Sequence, residues 1–257
     1  MKTIAITGAS KGIGRELATK LAGKNVNLIL GARSMDKLSA LKEELKDKCN
    51  SVLCLELDVS KEKSIISFFD TIRKQYGCLD ILINNAGIGY RSRVKDIDIK
   101  KAKELFDVNF FGLILCCRES LKGLINKGGK IVNIASEVSF RGLPTTSIYC
   151  ASKAAVKSFS ESLQDDARKQ GIDVIVIYPG YIKTEFHQST DEFSDLKSGP
   201  RNSSMSSEGL ASYIAKRIRS GKFENIPSRN GHILKLLNAL CPKMLSYIMS
   251  VKYKGHN

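Results

Sequence analysis

The 257-residue sequence predicts an α/β fold, a doubly wound parallel sheet of about seven strands flanked by helices. Three observations carry this reading. Short apolar, β-branched runs alternate with longer amphipathic segments through most of the chain, the pattern of successive βαβ units. The strand runs are continuously apolar, as expected when helices cover both faces of a sheet. A glycine-rich turn also lies between the first strand and the first helix.

The predicted strands are 2–7 (KTIAIT), 26–31 (VNLILG), 51–57 (SVLCLEL), 79–84 (LDILIN), 130–135 (KIVNIA) and 172–178 (IDVIVIY). Helical periodicity fills 13–24, 35–47, 61–76, 98–126 and 148–170, and right-handed crossovers then give the doubly wound order. A short seventh strand is expected near 222–227. Two stretches break the rhythm. Residues 185–207 are polar, rich in Ser and Asp and too long for an ordinary connector, so they are expected to form a substrate lid. In 228–257, Ile233, Leu236, Leu237, Leu240, Met244, Leu245 and Ile248 recur at helical spacing around Pro242, the pattern of two short amphipathic helices. The whole chain, 1–257, is read as one domain.

Composition narrows the function classes. No apolar run approaches a membrane span, and the N-terminus lacks a signal-peptide layout, so a cytoplasmic location is expected. Seven cysteines without a C-x-x-C pair suggest neither a disulfide framework nor a zinc site, and the three histidines show no metal spacing. The net charge of +15 raises the question of nucleic acid, but residues 51–200 are nearly balanced and the excess gathers in the last fifth of the chain. With no recognition motif in sight, no nucleic-acid partner is expected.

The chemistry starts at Thr7-Gly8-Ala9-Ser10-Lys11-Gly12-Ile13-Gly14. Glycines at 8, 12 and 14 permit a tight turn, a backbone approach to a pyrophosphate and a close helix, whose N-terminus offers free N–H groups. This is a Rossmann-like arrangement, and it makes Gly8, Ser10, Lys11, Gly12, Ile13 and Gly14 candidate dinucleotide contacts. The second strand ends at Gly31-Ala32-Arg33, where a carboxylate would accept from a ribose 2'-hydroxyl. Ala32 supplies none, whereas Arg33 and Lys11 are suited to a 2'-phosphate, so the expected cofactor is NADP(H).

The decisive cluster is Tyr149-x-x-x-Lys153 near a helix start, with Ser136 thirteen positions upstream at a strand end. Four-residue spacing puts phenol and ammonium on one helical face. A free phenol titrates near 10, and a nearby cation is expected to lower that value. Tyr149 is then the general acid/base of a carbonyl–alcohol interconversion, with Ser136 hydrogen-bonding the oxygen on which charge develops.

With Leu57-Asp58-Val59, Asn84-Asn85-Ala86-Gly87, Asn109 in VNFFG, Ser136 in NIAS, YCASK, and Pro179-Gly180 followed by Ile182 and Thr184, the sequence resembles the short-chain dehydrogenase/reductase family over about 70% of its length. The resemblance implies that Lys153 also holds the nicotinamide ribose and that Asn109 holds a water linking Lys153 to solvent. It places Asp58 and Val59 beside the adenine, Asn85, Ala86 and Gly87 along the ribose, and Ile182 and Thr184 at the carboxamide, next to Pro179 and Gly180. Asn84 and Asn85 have the alternative of satisfying backbone groups at a strand end. A homodimer or homotetramer is also implied. A dinucleotide-sensing binding protein of the same fold is the rival reading.

Beyond Thr184 the resemblance yields little. Glu137, directly after Ser136, is expected to turn to solvent, and His187 to be a surface residue. Phe140, Leu143, Tyr181 and Phe186 are candidates for an apolar pocket. The C-terminal helices, flanked by Arg229, Lys235, Lys243, Lys252 and Lys254 with no acid after Glu224, read either as a peripheral membrane contact or as a pocket cap or subunit contact. Some relatives that act on steroids, retinoids or other lipids have apolar tails of this sort, and this resemblance implies a lipophilic substrate.

Overall fold

Parallel strands in the order β3-β2-β1-β4-β5-β6-β7 form the centre of the computed structural model, which describes residues 1–182, 184–186, 190, 194–196 and 205–252. The strands are β1 (Lys2–Thr7), β2 (Val26–Ala32), β3 (Ser51–Glu56), β4 (Leu79–Asn84), β5 (Ile125–Ile134), β6 (Asp173–Ile177) and β7 (Glu224–Asn225). Ile4 pairs with Leu28 on one side and Ile81 on the other, so β1 lies inside the sheet, and the order reverses between β1 and β4.

On one face lie α1 (Gly12–Leu21), α2 (Met35–Leu45) and α7 (Ser207–Ser220), which pack Leu17, Leu38, Leu41, Leu45, Ile214 and Ile218 against β1 and β2. The other face carries α3 (Glu62–Tyr76), α4 (Ile99–Phe106), α5 (Gly112–Leu121) and α6 (Ser147–Lys169). In α3, Ile65, Phe68, Phe69 and Ile72 make the buried stripe. In α6 the stripe is Val156, Ser160, Leu163 and Ala167. Each large apolar side chain buried this way contributes roughly 1.5–3 kcal/mol. Two further helices, α8 (Arg229–Leu240) and α9 (Pro242–Lys252), follow β7.

The predicted helix 98–126 divides into parts. Asp98 caps α4 by accepting from the Lys100 and Lys101 N–H groups at 2.8 and 3.3 Å, a π-helical turn spans Asp107–Phe111, and α5 stops at Leu121. Leu124 and Ile125, which extend the helical pattern in the sequence, instead pair with β4: the Leu79 N–H donates to the Leu124 carbonyl at 2.9 Å. Strand β5 therefore begins five residues before the predicted 130, and a register shift absorbs the Asn126–Gly129 excursion.

Most of the expected lid, 187–189, 191–193 and 197–204, lies outside the described residues, as do His187 and Lys254 and the side chain of Lys252. The described pieces are docked. Thr190 donates to the Phe186 carbonyl at 2.7 Å, and Asp195 accepts from the Tyr90 hydroxyl at 2.7 Å and from Lys101 at 3.0 Å.

Candidate active site

Where the strand order reverses, the carboxyl ends of β1 and β4 open onto a cleft of about 1040 Å³, the position at which doubly wound sheets bind ligands. Of the sequence-derived site residues, all but Gly14 and Asn109 line it.

The nucleotide end is a backbone cradle. Gly8 holds φ +67°, and a Cβ there would lie 2.8 Å from the Ala86 Cα, so a larger residue is excluded twice over. Gly14 is a packing glycine: its Cβ would sit 2.3 Å from the Gly8 carbonyl oxygen and 2.5 Å from Asn85 Nδ2. Asn85 does what the structural alternative held, donating from Nδ2 to the carbonyls of Thr7 and Gly8 at 3.0 and 3.1 Å, and it lines the cleft as well. Asn84 points away into the core, where it donates to Asn133 Oδ1 at 2.9 Å. With the α1 N-terminus beside these bare backbone groups, the cradle fits a dinucleotide pyrophosphate.

Lys11 and Arg33, which follow the adjacent strands β1 and β2, both line the cleft, and neither has an ion-pair partner among the described residues. Lys37, one turn into α2, lines it as well and pairs with Glu185 at 3.1 Å. The sequence reading missed Lys37 because its spacing is that of any exposed helical lysine. Asp58 lies across from them. Burial opposes its ionisation, but the Ser60 N–H and hydroxyl, with the Lys61 ammonium, hold its carboxyl below the usual range.

At the opposite end, Ser136, Tyr149 and Lys153 share one wall. Lys153 is buried, donates to the Ile134 carbonyl at 2.9 Å and lies 5.9 Å from the Tyr149 ring centre. Two serines absent from the sequence reading fix this wall. Ser139 donates to the Lys153 carbonyl at 2.8 Å, and Ser152 to the Tyr149 carbonyl at 2.8 Å. Isolated serines carry no signal in sequence, so only the fold reveals them. Just before α6, Thr145 occupies the left-handed region at φ +62°, a strained position for a β-branched residue, and its carbonyl accepts from the Ser92 N–H at 2.9 Å.

The electrostatics correct one expectation. Burial pushes the Tyr149 phenol above its ordinary value, and the Ser136 hydroxyl beside it draws it back only in part. Burial also lowers Lys153 to about 8. The ammonium faces the ring and the Ile134 carbonyl, so desolvation outweighs the acidification expected from helical spacing alone.

Asn109 sits in the π-helical turn, a device common at functional sites. Its Oδ1 accepts from the Ile88 N–H at 2.8 Å, and its Nδ2 donates to the Ile88 carbonyl at 2.9 Å and to Ser152 at 3.2 Å. The carboxamide is thus engaged in holding the Gly87–Ile88 wall, where a Cβ on Gly87 would be 3.2 Å from Asn109 Oδ1 and 3.7 Å from Lys153 Nζ.

Three expectations for the substrate end change. Glu137 turns inward: its half-buried carboxylate accepts from the Ser228 hydroxyl at the start of α8, and burial raises its pKa despite that bond. Phe140 stacks on Tyr178 with ring centres 4.7 Å apart and belongs to the core, leaving Leu143, Tyr181 and Phe186 on the cleft. Lys235 is bound, donating to Glu224 and lying 5.6 Å above the Phe140 ring. Of the alternatives read for the C-terminal helices, the pocket cap is seen: Ile233, Leu234 and Leu237 of α8 and Leu245 and Met249 of α9 line the cleft.

A family model described as short chain dehydrogenase matches residues 2–195. Carbonyl reductase family member 4 from Xenopus laevis is 34% identical over 239 residues, covering 91% of this chain and 95% of the relative. The NADP-dependent 3-hydroxy acid dehydrogenase of Schizosaccharomyces pombe is 35% identical over 189 residues, 72% of this chain and 73% of its own. Among solved structures, a short-chain dehydrogenase from Sphingobium yanoikuyae in complex with NADPH superposes with a TM-score of 0.80 at 26% identity, covering 96% of this chain and 95% of that one.

Proposed function

The chain belongs to the short chain dehydrogenase family of oxidoreductases, and from that premise we propose that it is NADP(H)-dependent and interconverts a ketone or aldehyde with an alcohol on a lipophilic substrate. The observation that carries the reading is the convergence of Ser136, Tyr149 and Lys153 on one wall of the cleft whose other end is the glycine cradle. The nicotinamide of the bound cofactor supplies or accepts the hydride.

In the direction of reduction, Tyr149 gives its phenolic proton to the substrate oxygen as that oxygen gains charge, and Ser136 donates a hydrogen bond to the same atom. A phenol kept protonated by burial is suited to the role of acid. Lys153, mostly protonated at neutral pH, would hold the ribose hydroxyls of a bound nicotinamide nucleotide and favours the phenolate left behind. Asn109 and Ser152 position this wall through Ile88 and the first turn of α6. Pro179, Gly180, Ile182 and Thr184, which line the cleft, would border the nicotinamide carboxamide, Asp58 and Val59 the adenine, and Asn85, Ala86 and Gly87 the ribose.

Two supports favour NADP(H): Lys11 and Arg33 on the cleft with no carboxylate at Ala32, and the NADP dependence in the name of the Schizosaccharomyces pombe relative. The apolar wall from Leu143, Tyr181, Leu237 and Met249 favours a lipophilic substrate. Exposed Ile99 and Phe111 on the α4–α5 face favour a homo-oligomer, and seven free cysteines favour a reducing, cytoplasmic location.

The test is NADPH oxidation, followed by its near-ultraviolet absorbance, against carbonyl compounds graded in hydrophobicity, with NADH in parallel. Turnover that rises with hydrophobicity and prefers NADPH is expected. Tight cofactor binding without turnover on any compound would favour the dinucleotide-sensing reading.

A further inference from the structure

The two C-terminal helices have two apolar faces, of which the cleft uses one. Leu234, Leu237, Leu245 and Met249 face the cleft, and Leu245 is buried. On the other side, Leu236 and Leu240 of α8 and Met244, Tyr247, Ile248 and Val251 of α9 are exposed, Leu240 to 70% and Tyr247 to 71%. Steps of three and four residues align each set along its helix, so the exposed side chains form a stripe.

The pair is held as a unit against the domain. Arg141 donates to Asn238 of α8 at 3.4 Å and to Ser246 of α9 at 2.7 Å, and Glu137 accepts from Ser228 at the root of α8. The stripe therefore belongs to a built part of the fold, not to a frayed end.

Charge decides what the stripe fits. From residue 225 onward the sequence has five basic residues and no acidic one. Lys235 is neutralised by Glu224, whereas Arg229 and Lys243 have no ion-pair partner among the described residues. A second copy docked through the same patch would bring like charges together, since a two-fold contact opposes each surface to itself. An anionic bilayer complements both features, taking up the apolar side chains and attracting the cations. With 12 and 11 residues, α8 and α9 are too short to span a bilayer and suited to lying in its surface.

We propose that the exposed α8–α9 face docks on anionic lipid bilayers, placing the apolar cleft wall formed by the same helices next to the membrane. Docking itself is independent of the proposed reaction. Only its consequence, entry of a lipophilic substrate from the bilayer, rests on that reading.

The experiment is cosedimentation of the full chain with phosphatidylcholine vesicles and with vesicles containing about one third phosphatidylserine, at low and high salt. The wild type should bind the anionic vesicles at least about tenfold better than the neutral ones, and less in high salt. Leu240→Asp with Tyr247→Asp should lower binding by about tenfold or more, and Arg229→Gln and Lys243→Gln by about fivefold each, with NADPH affinity unchanged. Absence of binding to anionic vesicles would overturn the proposal, as would binding that these variants leave intact. A dimer in sedimentation velocity that Leu240→Asp disperses, without vesicle binding, would overturn it in favour of a second copy. Vesicle binding without NADPH turnover on any carbonyl compound would leave the docking face standing and defeat the enzymatic reading instead.

Discussion

Replacing Lys153 by Met should stabilise the protein while abolishing turnover, and the gain should depend on pH in a defined direction. Burial lowers the ammonium from 10.5 to about 8, so the folded state binds this proton less tightly than the unfolded chain does. At 1.36 kcal/mol per unit the shift corresponds to roughly 3–4 kcal/mol that the charged lysine costs the fold. The sign follows from proton binding. Below pH 8 both states are protonated and the cost is complete. Between about 8 and 10.5 the unfolded state holds more protons, so wild-type stability rises with pH, and above 10.5 the contribution vanishes. Methionine cannot donate to the Ile134 carbonyl, a loss of about 1 kcal/mol, but that offset varies little with pH. Urea unfolding of both proteins from pH 7 to above 10 separates the two effects. The Met variant should be the more stable at pH 7, with its advantage shrinking by about 2 kcal/mol or more across the window. A stability difference that stays flat with pH would refute the claim that Lys153 is held charged against a desolvation cost.

Other consequences follow from single residues. Arg33→Ala should weaken NADPH binding by about 1–2 kcal/mol, the discounted value of a charge-assisted bond from an exposed guanidinium, and leave NADH within about twofold by titration calorimetry. Equal losses would remove Arg33 from phosphate recognition. Gly14→Ala places a methyl 2.3 Å from the Gly8 carbonyl, so the cradle must shift, and both cofactor affinity (about tenfold) and thermal stability should fall. Glu137→Gln keeps an acceptor for Ser228 without the buried charge. It should therefore stabilise the protein at neutral pH, with the gain fading as pH falls toward the ordinary carboxyl value of 4.5 and absent below it, whereas Glu137→Ala should speed limited proteolysis of α8 and α9.

Those residues also mark how far the sequence could be read. The sheet, its order of crossing and the cleft were legible because apolar runs such as Ile4–Ile6 and Leu28–Leu30 permit only buried strands, and because the glycine spacing is meaningful only after a strand. The β5 start was lost because Leu124 and Ile125 continue a helical stripe and pair with β4 only in three dimensions. Local spacing brings the side chains of Tyr149 and Lys153 together, 5.9 Å from ring centre to ammonium, but it cannot report desolvation, which depends on every element packed around them. Glu137 looked like a surface carboxylate because its partner, Ser228, is 91 residues away. Ser139 and Ser152, which hold the wall of Ser136, Tyr149 and Lys153, fall in the same class.

The most direct test of the account is Tyr149→Phe, measured by turnover of NADPH with the best carbonyl compound and by cofactor titration on the same sample. Removing only the hydroxyl should reduce turnover by about 10²-fold or more while the affinity for NADPH stays within about twofold. Turnover equal to that of the wild type would show that the proton does not come from Tyr149, and the chemistry assigned to this cleft would be contradicted.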